Sequence, residues 1–488
     1  MPKVYAILPA VNAPAEKVVH SLMSLQRTNT PIVYVHRPED QAPTGPDTTA
    51  LECECLTLGA MLETIRREIE TELFLWIPPG VTVLKDGLDA FSNAYMKNPR
   101  AALLVSDYYI DGNHARIHPL RDDLTEREDF GAVWGFPKWA LEKIGGVDDN
   151  LKFTTFYDLR LKLAEVGELE HIPEPTHNVE PVKEENSDQS ASLFFPGKGA
   201  YGGFSYLFMD PEEEKETEEV LYNCLKRRGA FLELPQNEIT PSIVEDGDPI
   251  VTVVIPVHDR AKFLPMAIDS VLRGKLQNFE IIVVDNASTD NTREVAEEYA
   301  KKDPRIRVLA SEVNLIARAL NMGINEAKGK YIAQLDSDDE YTDITLESMV
   351  GHLETHPKCG LAISYYELMD EEGNSLEEFG IIEHLEYNIN NIMRVDGAGA
   401  VRVWQKSAIR EFGGFNDSDF PNYGEDYDLV LKVGEKYQVD RVHEVCYRYR
   451  RHPGNTDALR RAEDKIKAKT FARVSSIVRR RKINGYER

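Results

Sequence analysis

The chain has 488 residues, 42% hydrophobic and 29% charged, and its 57 Lys and Arg against 83 Asp and Glu give a net charge of −26. That length exceeds one ordinary core and predicts two domains or three. The composition is that of a globular protein, and the negative field excludes nucleic-acid binding through overall charge. Any anionic ligand has to be met locally, by a cation or by oriented backbone donors.

From the N-terminus, "MPKVYAILPAV" opens directly on a strand with no leader pattern, and no later run approaches the roughly 18 apolar residues of a membrane span. The five cysteines, Cys53, Cys55, Cys224, Cys359 and Cys446, have no zinc-ribbon spacing. Their odd number predicts reduced thiols and a cytoplasmic protein. Strand-like segments follow at "IVYVHRPED" (32–40), "ELFLWIPPGVTV" (72–83) and "AALLVSDYYIDGN" (101–113). After them come "FGAVWGFPKWALEKIGGVDD" (130–149) and the helical "YDLRLKLAEVGE" (157–168). Residues 182–208, rich in Gly, Ser and charge, read as a connector, and "DPEEEKETEEVLYNCLKRRG" as a helix whose acid-first, base-last order suits its dipole.

The second half is clearer. The β-branched runs "IVTVVIPV" (250–257) and "FEIIVVD" (279–285) read as strands buried on both faces, with the helical "FLPMAIDSVLRG" between them. The helix "STDNTREVAEEYAKKD", the strand "IRVLAS", the helix "IARALNMGINEAKG" and the strand "YIAQLD" come next. This alternation predicts a doubly wound, mostly parallel α/β sheet. Asp290 and Asn291 read as caps of the helix they precede.

Ligands of such sheets bind beyond the carboxyl ends of the strands. Those ends carry "PVHDR" (256–260), "DNASTD" (285–290) and "DSDDE" (336–340), so all three belong on one rim. Two crowded carboxylates are costly alone, and a divalent cation reverses that cost. Hard oxygen donors favour Mg²⁺ or Mn²⁺, with open positions for phosphates. The alternative is a solvated acidic turn or a helix N-terminus. Asp285 can accept from a base N–H, and backbone near Pro256, Val257 and His258 can approach a nucleotide.

The first half repeats this order in weakened form. "VYAILPAVN" mirrors "VTVVIPVHD", and "NPRAALLVSDYYIDGN" tracks "HPKCGLAISYYELMDEEGN". Pro78, Pro79 and Gly80 align with Asp336, Ser337 and Asp338, His36 with Asp285, and Phe156 with Asp426. Two copies of one domain are expected, the first without its acids. The expected boundaries are 1–181 for the silent copy, 182–248 for a linker with a helix, 249–455 for the catalytic copy and 456–488 for a basic C-terminal helix.

The segments "VTVVIPVHDR", "EIIVVDNASTDNT", "NLIARALNMGINEAKGKYIAQLDSDDE", "FGGFND" and "GEDYDL" resemble, in this order, the motifs of family 2 glycosyltransferases with the GT-A fold. "QLDSDD" is similar to the bacterial hyaluronan and chondroitin synthase branch, whose chains carry two such domains, both active. The resemblance implies two tandem GT-A-like domains and a sugar moved from a nucleotide sugar, commonly of UDP, to a saccharide or lipid-linked acceptor. It implies Asp285 at the nucleobase, Arg318 near the diphosphate or ribose, Asp336 and Ser337 in the donor site and Asp338 on the metal. Asp426 would be the general base with Glu425 beside it, and His452 a late ligand closing over metal and diphosphate. Asn286 departs from the family's usual second acid.

One base and in-line attack at the anomeric carbon invert configuration. Asp426 begins a helix whose dipole favours negative charge there, although helix capping alone also accounts for it and for Glu425. Trp404 reads equally as a sugar-stacking ring or as core. The arginines Arg460, Arg461, Arg479, Arg480 and Arg481 read as a solvated helix, as one packed on the acidic body, or as a contact with anionic lipid at the inner membrane face. Sugar-phosphate nucleotidyl transfer and non-catalytic carbohydrate binding are the competing functions.

Overall fold

The computed structural model describes residues 2–43, 47–54, 57–180, 209–420, 422–455 and 459–486; the expected connector lies outside them. Two compact units divide the described chain, one of residues 2–180 and 209–224, the other from 225 onward.

In the first unit the main strands are β1 (Val4–Pro9), β2 (Ile32–His36), β3 (Thr48–Glu52) and β4 (Leu73–Trp76). The short β5 (Val81–Val83) precedes β6 (Ala101–Ser106), β7 (Tyr108–Ile110), β8 (Asn113–Ala115), β9 (Trp134–Pro137), β10 (Glu168–Ile172) and β11 (His177–Val179). The seven-stranded sheet has the order β10-β6-β9-β4-β1-β2-β3, and a smaller one the order β5-β11-β7-β8. Only β9 runs against its neighbours in the large sheet. Helix Pro211–Arg227 forms where its charge order predicts.

The second unit holds β12 (Val251–Val257), β13 (Phe279–Asn286), β14 (Ile306–Ser311), β15 (Tyr331–Gln334), β16 (Glu340–Tyr341), β17 (Cys359–Met369), β18 (Ile381–Ile382), β19 (Arg402–Gln405) and β20 (Gln438–Arg450). The main order is β14-β13-β12-β15-β19-β17-β20-β16. Read from β20 to β14, it matches the first sheet strand for strand, with β19 in the antiparallel place of β9. The register matches as well. Gln334 pairs with Arg402 as Trp76 pairs with Trp134.

Strands β12 and β13 are buried at every position, as their unbroken apolar runs require. Helix Ile316–Glu326 lies close against β12, and a Cβ on Gly323 would meet Val254 Cγ1 at 2.5 Å. Helix Ala462–Ile483 packs on helix Glu425–Gly434. Arg480 is fully buried and donates to the Ile389 carbonyl at 2.6 Å, while Arg479 pairs with Glu435 at 2.6 Å. Arg460 donates to the Asn422 carbonyl, Arg461 pairs with Glu463 and Arg481 donates to the Arg228 carbonyl. Arg460, Arg479, Arg480 and Arg481 are thus engaged on the rest of the unit, while Arg461 stays exposed and pairs within its own segment. No helix among the described residues is long and apolar enough to cross a membrane. Cys224, Cys359 and Cys446 are buried free thiols. Cys53 is disulfide-bonded, which departs from the fully reduced set the cysteine count predicted.

Candidate active site

Parallel strands β12, β13 and β15 end on one side of the sheet. Because β15 and β17 are both antiparallel to β19, the carboxyl ends of β17 and its parallel partner β20 reach that side too. The rim therefore collects Val257, Asp285, the 336–339 turn, Arg402 at the start of β19, and the segment after Arg450.

After β15 the chain forms a turn and then β16, so "DSDDE" is not the start of a helix; that helix begins at Thr345. Asp336 and Asp338 are half-buried, and Asp339 is 1% exposed. Burial, and then the charge of Asp338, push Asp336 up to about 7. Burial and the charges of Asp338 and Asp336 likewise raise Asp339. Burial also acts upward on Asp338, but a hydrogen bond from His452 and the charge of Arg260 outweigh it and hold the carboxyl below its ordinary range. Asp339 is fixed by the Tyr447 hydroxyl at 2.9 Å and the Arg450 amide at 2.7 Å.

His452 is brought to Asp338 across the fold, with Nε2 3.1 Å from Oδ2. The Gly454 amide donates to its Nδ1 at 3.2 Å, which places the ring proton on Nε2 and makes it the donor to Asp338. Phe263 lies against the ring at 4.7 Å between centroids. Arg260 reaches Asp338 at 3.4 Å and the Gly454 carbonyl at 2.8 Å.

Asp426 and Glu425 open helix Glu425–Gly434, preceded by Gly424 in the left-handed region at φ 85°. Asp426 accepts the Tyr427 amide at 2.7 Å and pairs with Arg402 at 2.8 Å. Glu425 is 6% exposed, and its Oε2 is buried without a hydrogen-bond partner. Burial, then the charge of Asp426, push it up to about 8.

Other expected residues sit differently. Pro256 has no N–H to donate, and Val257 pairs opposite Asp285 at the end of the β12–β13 ladder. Beyond them the amides of Asp259, Arg260 and Ala261 are taken up by Ser288, Thr292 and Asp290. His258 donates through Nδ1 to the Asn286 carbonyl at 3.0 Å. Asp285 is 4% exposed and accepts the Ser288 amide, while Ser337 is buried at 7% exposure. Both ends of the Asn286 amide are engaged, by Asn314 and by the Leu315 amide, so it holds the start of helix Ile316–Glu326. Arg318 is half exposed and pairs with Asp417 at 3.6 Å rather than with a rim acid. Trp404 is core, at 0% exposure between Ile332 and Leu361. Asp290 caps Thr292 at 2.9 Å, whereas Asn291 makes no side-chain cap.

Sequence reasoning missed the cations that balance these acids. Arg402 is a lone charge in the apolar run "AVRVW", which could have marked it as a paired, buried charge. Arg450 is fully buried, donates to the Asp338 carbonyl at 2.8 Å and pairs with Glu340 at 2.6 Å.

A divalent cation fits this arrangement. Asp336 and Asp338 repel each other, Asp338 offers an oxygen donor, and the His452 Nε2 beside it would become a nitrogen donor once the ring proton shifts to Nδ1 and gives up the Gly454 amide. Two protein donors leave most of a Mg²⁺ or Mn²⁺ shell for phosphate oxygens and water.

The sequence model of the family described as "Glycosyl transferase family 2" matches residues 252–411. The glycosyltransferase GlyG of Streptococcus pneumoniae is 35% identical over 221 residues, which cover 42% of this chain and 72% of GlyG. A chondroitin synthase of Pasteurella multocida is 24% identical over 291 residues, 58% of this chain and 29% of the synthase. The solved structure of TarS from S. aureus with UDP-GlcNAc is 18% identical, covering 43% of this chain and 61% of that one, with a TM-score of 0.36. The chain belongs to glycosyltransferase family 2 and is a glycosyltransferase.

Proposed function

We propose that the rim of the second unit moves a sugar from a nucleotide sugar, UDP-linked in the first instance, to a hydroxyl of a saccharide or lipid-linked acceptor with inversion. One observation carries this reading: five acids, Asp336, Asp338, Asp339, Glu425 and Asp426, converge on one rim, and burial lifts Asp336 to about 7 and Glu425 to about 8. Such a constellation is costly unless a positively charged partner and a reaction make use of it. Relatives named for chondroitin synthesis and teichuronic acid biosynthesis support a saccharide acceptor.

Asp338 and His452 would hold Mn²⁺ or Mg²⁺, which supplies charge to the departing diphosphate as a Lewis acid. Asp285 lies at the end of β13, where a nucleobase N–H would find its carboxylate. The Arg402 guanidinium and Tyr427 amide fix the Asp426 carboxylate, which takes the proton of the acceptor hydroxyl as that oxygen bonds the anomeric carbon. The bond from that carbon to the diphosphate oxygen breaks, and the electron pair leaves with the nucleoside diphosphate. A single displacement from the opposite face inverts the centre. Arg260 adds a protein cation beside Asp338.

The first unit is proposed as a silent copy of the second. Where the second unit sets Gln334 and Arg402 in its sheet and Asp426 at a helix start, the first sets Trp76, Trp134 and Phe156 in the matching places. The Phe156 ring lies 4.9 Å from Trp134 and 5.6 Å from Trp76.

Release of UDP from a panel of UDP-sugars with Mn²⁺, by the parent chain and by Asp338→Ala, tests the proposal. The variant is expected to lose about 100-fold or more while keeping its fold, since the lost charge stabilisation amounts to several kcal/mol. Equal turnover in the two proteins rejects the assigned site.

A further inference from the structure

At the opposite end of the second sheet, three different donors meet. His352 comes from the last turn of helix Thr345–Thr355, Cys359 from the first position of β17 and Asp440 from near the start of β20. One ligand atom of each lies within 4.8 Å of the other two, the only such group of three among the described residues. The imidazole Nε2 is 2.9 Å from the Asp440 carboxylate. Because β17 and β20 are parallel, this corner lies at their amino ends, a full strand away from the catalytic rim.

We propose that His352, Cys359 and Asp440 form a binding site for a zinc-class divalent ion, separate from the catalytic metal. The donor set is the argument. A thiolate with an imidazole suits zinc or cobalt far better than Mg²⁺ or Mn²⁺, whose oxygen preference the rim satisfies. Tetrahedral zinc needs donor separations of roughly 3.3–3.8 Å, within reach of these side chains by small rotations.

The backbone is shaped to this arrangement. The β17–β20 register shifts between Cys359 and Leu361, a bulge of the kind that re-aims a side chain. Gly360 sits in it, where a Cβ would meet Val433 Cγ1 at 2.8 Å. Cys359 is fully buried, while the His352 and Asp440 side chains are 20% and 26% exposed, so an ion enters past those two. A second imidazole, His356, stacks on His352 at 3.9 Å between centroids. Its Nδ1 donates to the His352 carbonyl, so this ring buttresses the His352 imidazole, and the remaining coordination position would fall to water. Binding exchanges the thiol proton for the ion. The ion then ties together the starts of two strands whose far ends carry Arg450 and lead into His452.

The full chain, purified without chelator, is assayed for zinc by elemental analysis. It is then stripped, reloaded with Co²⁺ and read for the sulfur-to-cobalt charge-transfer band. One zinc per chain and a cobalt–thiolate band are expected, both lost in Cys359→Ser and both kept in Asp338→Ala. His352→Gln, at a partly exposed position, is expected to weaken cobalt binding by about tenfold or more, and it decides the matter should Cys359→Ser not fold. Absence of the band in the parent, its survival in Cys359→Ser, or undiminished cobalt affinity in His352→Gln overturns the proposal.

Discussion

Replacing Glu425 by Gln tests the electrostatics of the rim without any substrate. The Glu425 carboxyl is pushed from an ordinary 4.5 to about 8, first by burial and then by Asp426. Its Oε2 has no partner that would repay ionisation. Between those two values the folded chain binds a proton that the unfolded chain has released. Stability therefore falls as pH rises, by up to about 1.4 kcal/mol per pH unit for one group. The contribution is whole below the unfolded value and is lost as pH climbs through the folded one. From about pH 6 to pH 8 the loss comes to roughly 2 kcal/mol, the last part rounded off as the folded carboxyl itself titrates. Gln keeps the shape and cannot ionise, so the variant should gain on the parent by roughly that amount over the interval and differ little only below about pH 4.5. Urea titration of both proteins at several pH values measures the difference, in which groups remote from the rim cancel while Asp426 and Asp336, whose charges act on Glu425, contribute with it. The chain has two compact units, so the comparison follows only the transition that moves with the substitution. A parent-minus-variant difference that stays flat across this window would refute the buried, unpartnered state assigned to Glu425.

Asp426→Asn should lower the turnover rate by about 100- to 10,000-fold with the donor KM little changed, since it removes the proton acceptor and keeps the shape; an equal loss in both parameters would indicate a binding role. Arg450→Met removes a guanidinium that is 0% exposed and its hydrogen bonds to the Asp338 and Glu371 carbonyls, while Glu340 keeps Arg273 at 2.9 Å and Arg448 at 3.4 Å. Denaturation should show it about 1–3 kcal/mol less stable. Gly424→Ala forces a φ of 85° on a residue with a Cβ, 3.2 Å from Phe420 Cδ1. A cost of about 1–2 kcal/mol and reduced activity are expected, because this residue sets the start of the helix that presents Asp426; unchanged activity at full fold would separate the two.

The rim was legible because it rests on local pattern. β-Branched runs such as "FEIIVVD" can be buried on both faces, and strands alternating with helices put their polar ends on one side. The cations were not legible, because a buried arginine declares itself only through its partners. Arg260 reaches an acid 78 positions away and His452 one 114 positions away. Trp404 illustrates the same limit. Its ring is equally suited to a sugar face or a core, and only the pairing of β15, β19 and β17 around it decides for the core. Asn286 stands where the resembled family has a second acid, and only the structure shows its amide tying the start of the next helix. The basic tail was ambiguous from composition, and Glu435 settles where Arg479 goes.

The equal registers of the two sheets sharpen the contrast between the units. An arginine at 402 beside Asp426 is stable only with its charge matched, and the Asp336 turn adds further unmatched charge nearby; an incoming cation and diphosphate can relieve that imbalance. Tryptophan at the matching place, 134, packed on Phe156 and Trp76, closes the space with apolar surface and leaves no charge to be relieved. Writing acids into positions 78 to 80 would therefore not restore a donor site. The aromatic cluster behind them would have to give way to the arginine and carboxylate first, and that exchange would unpack a core that the first sheet now depends on.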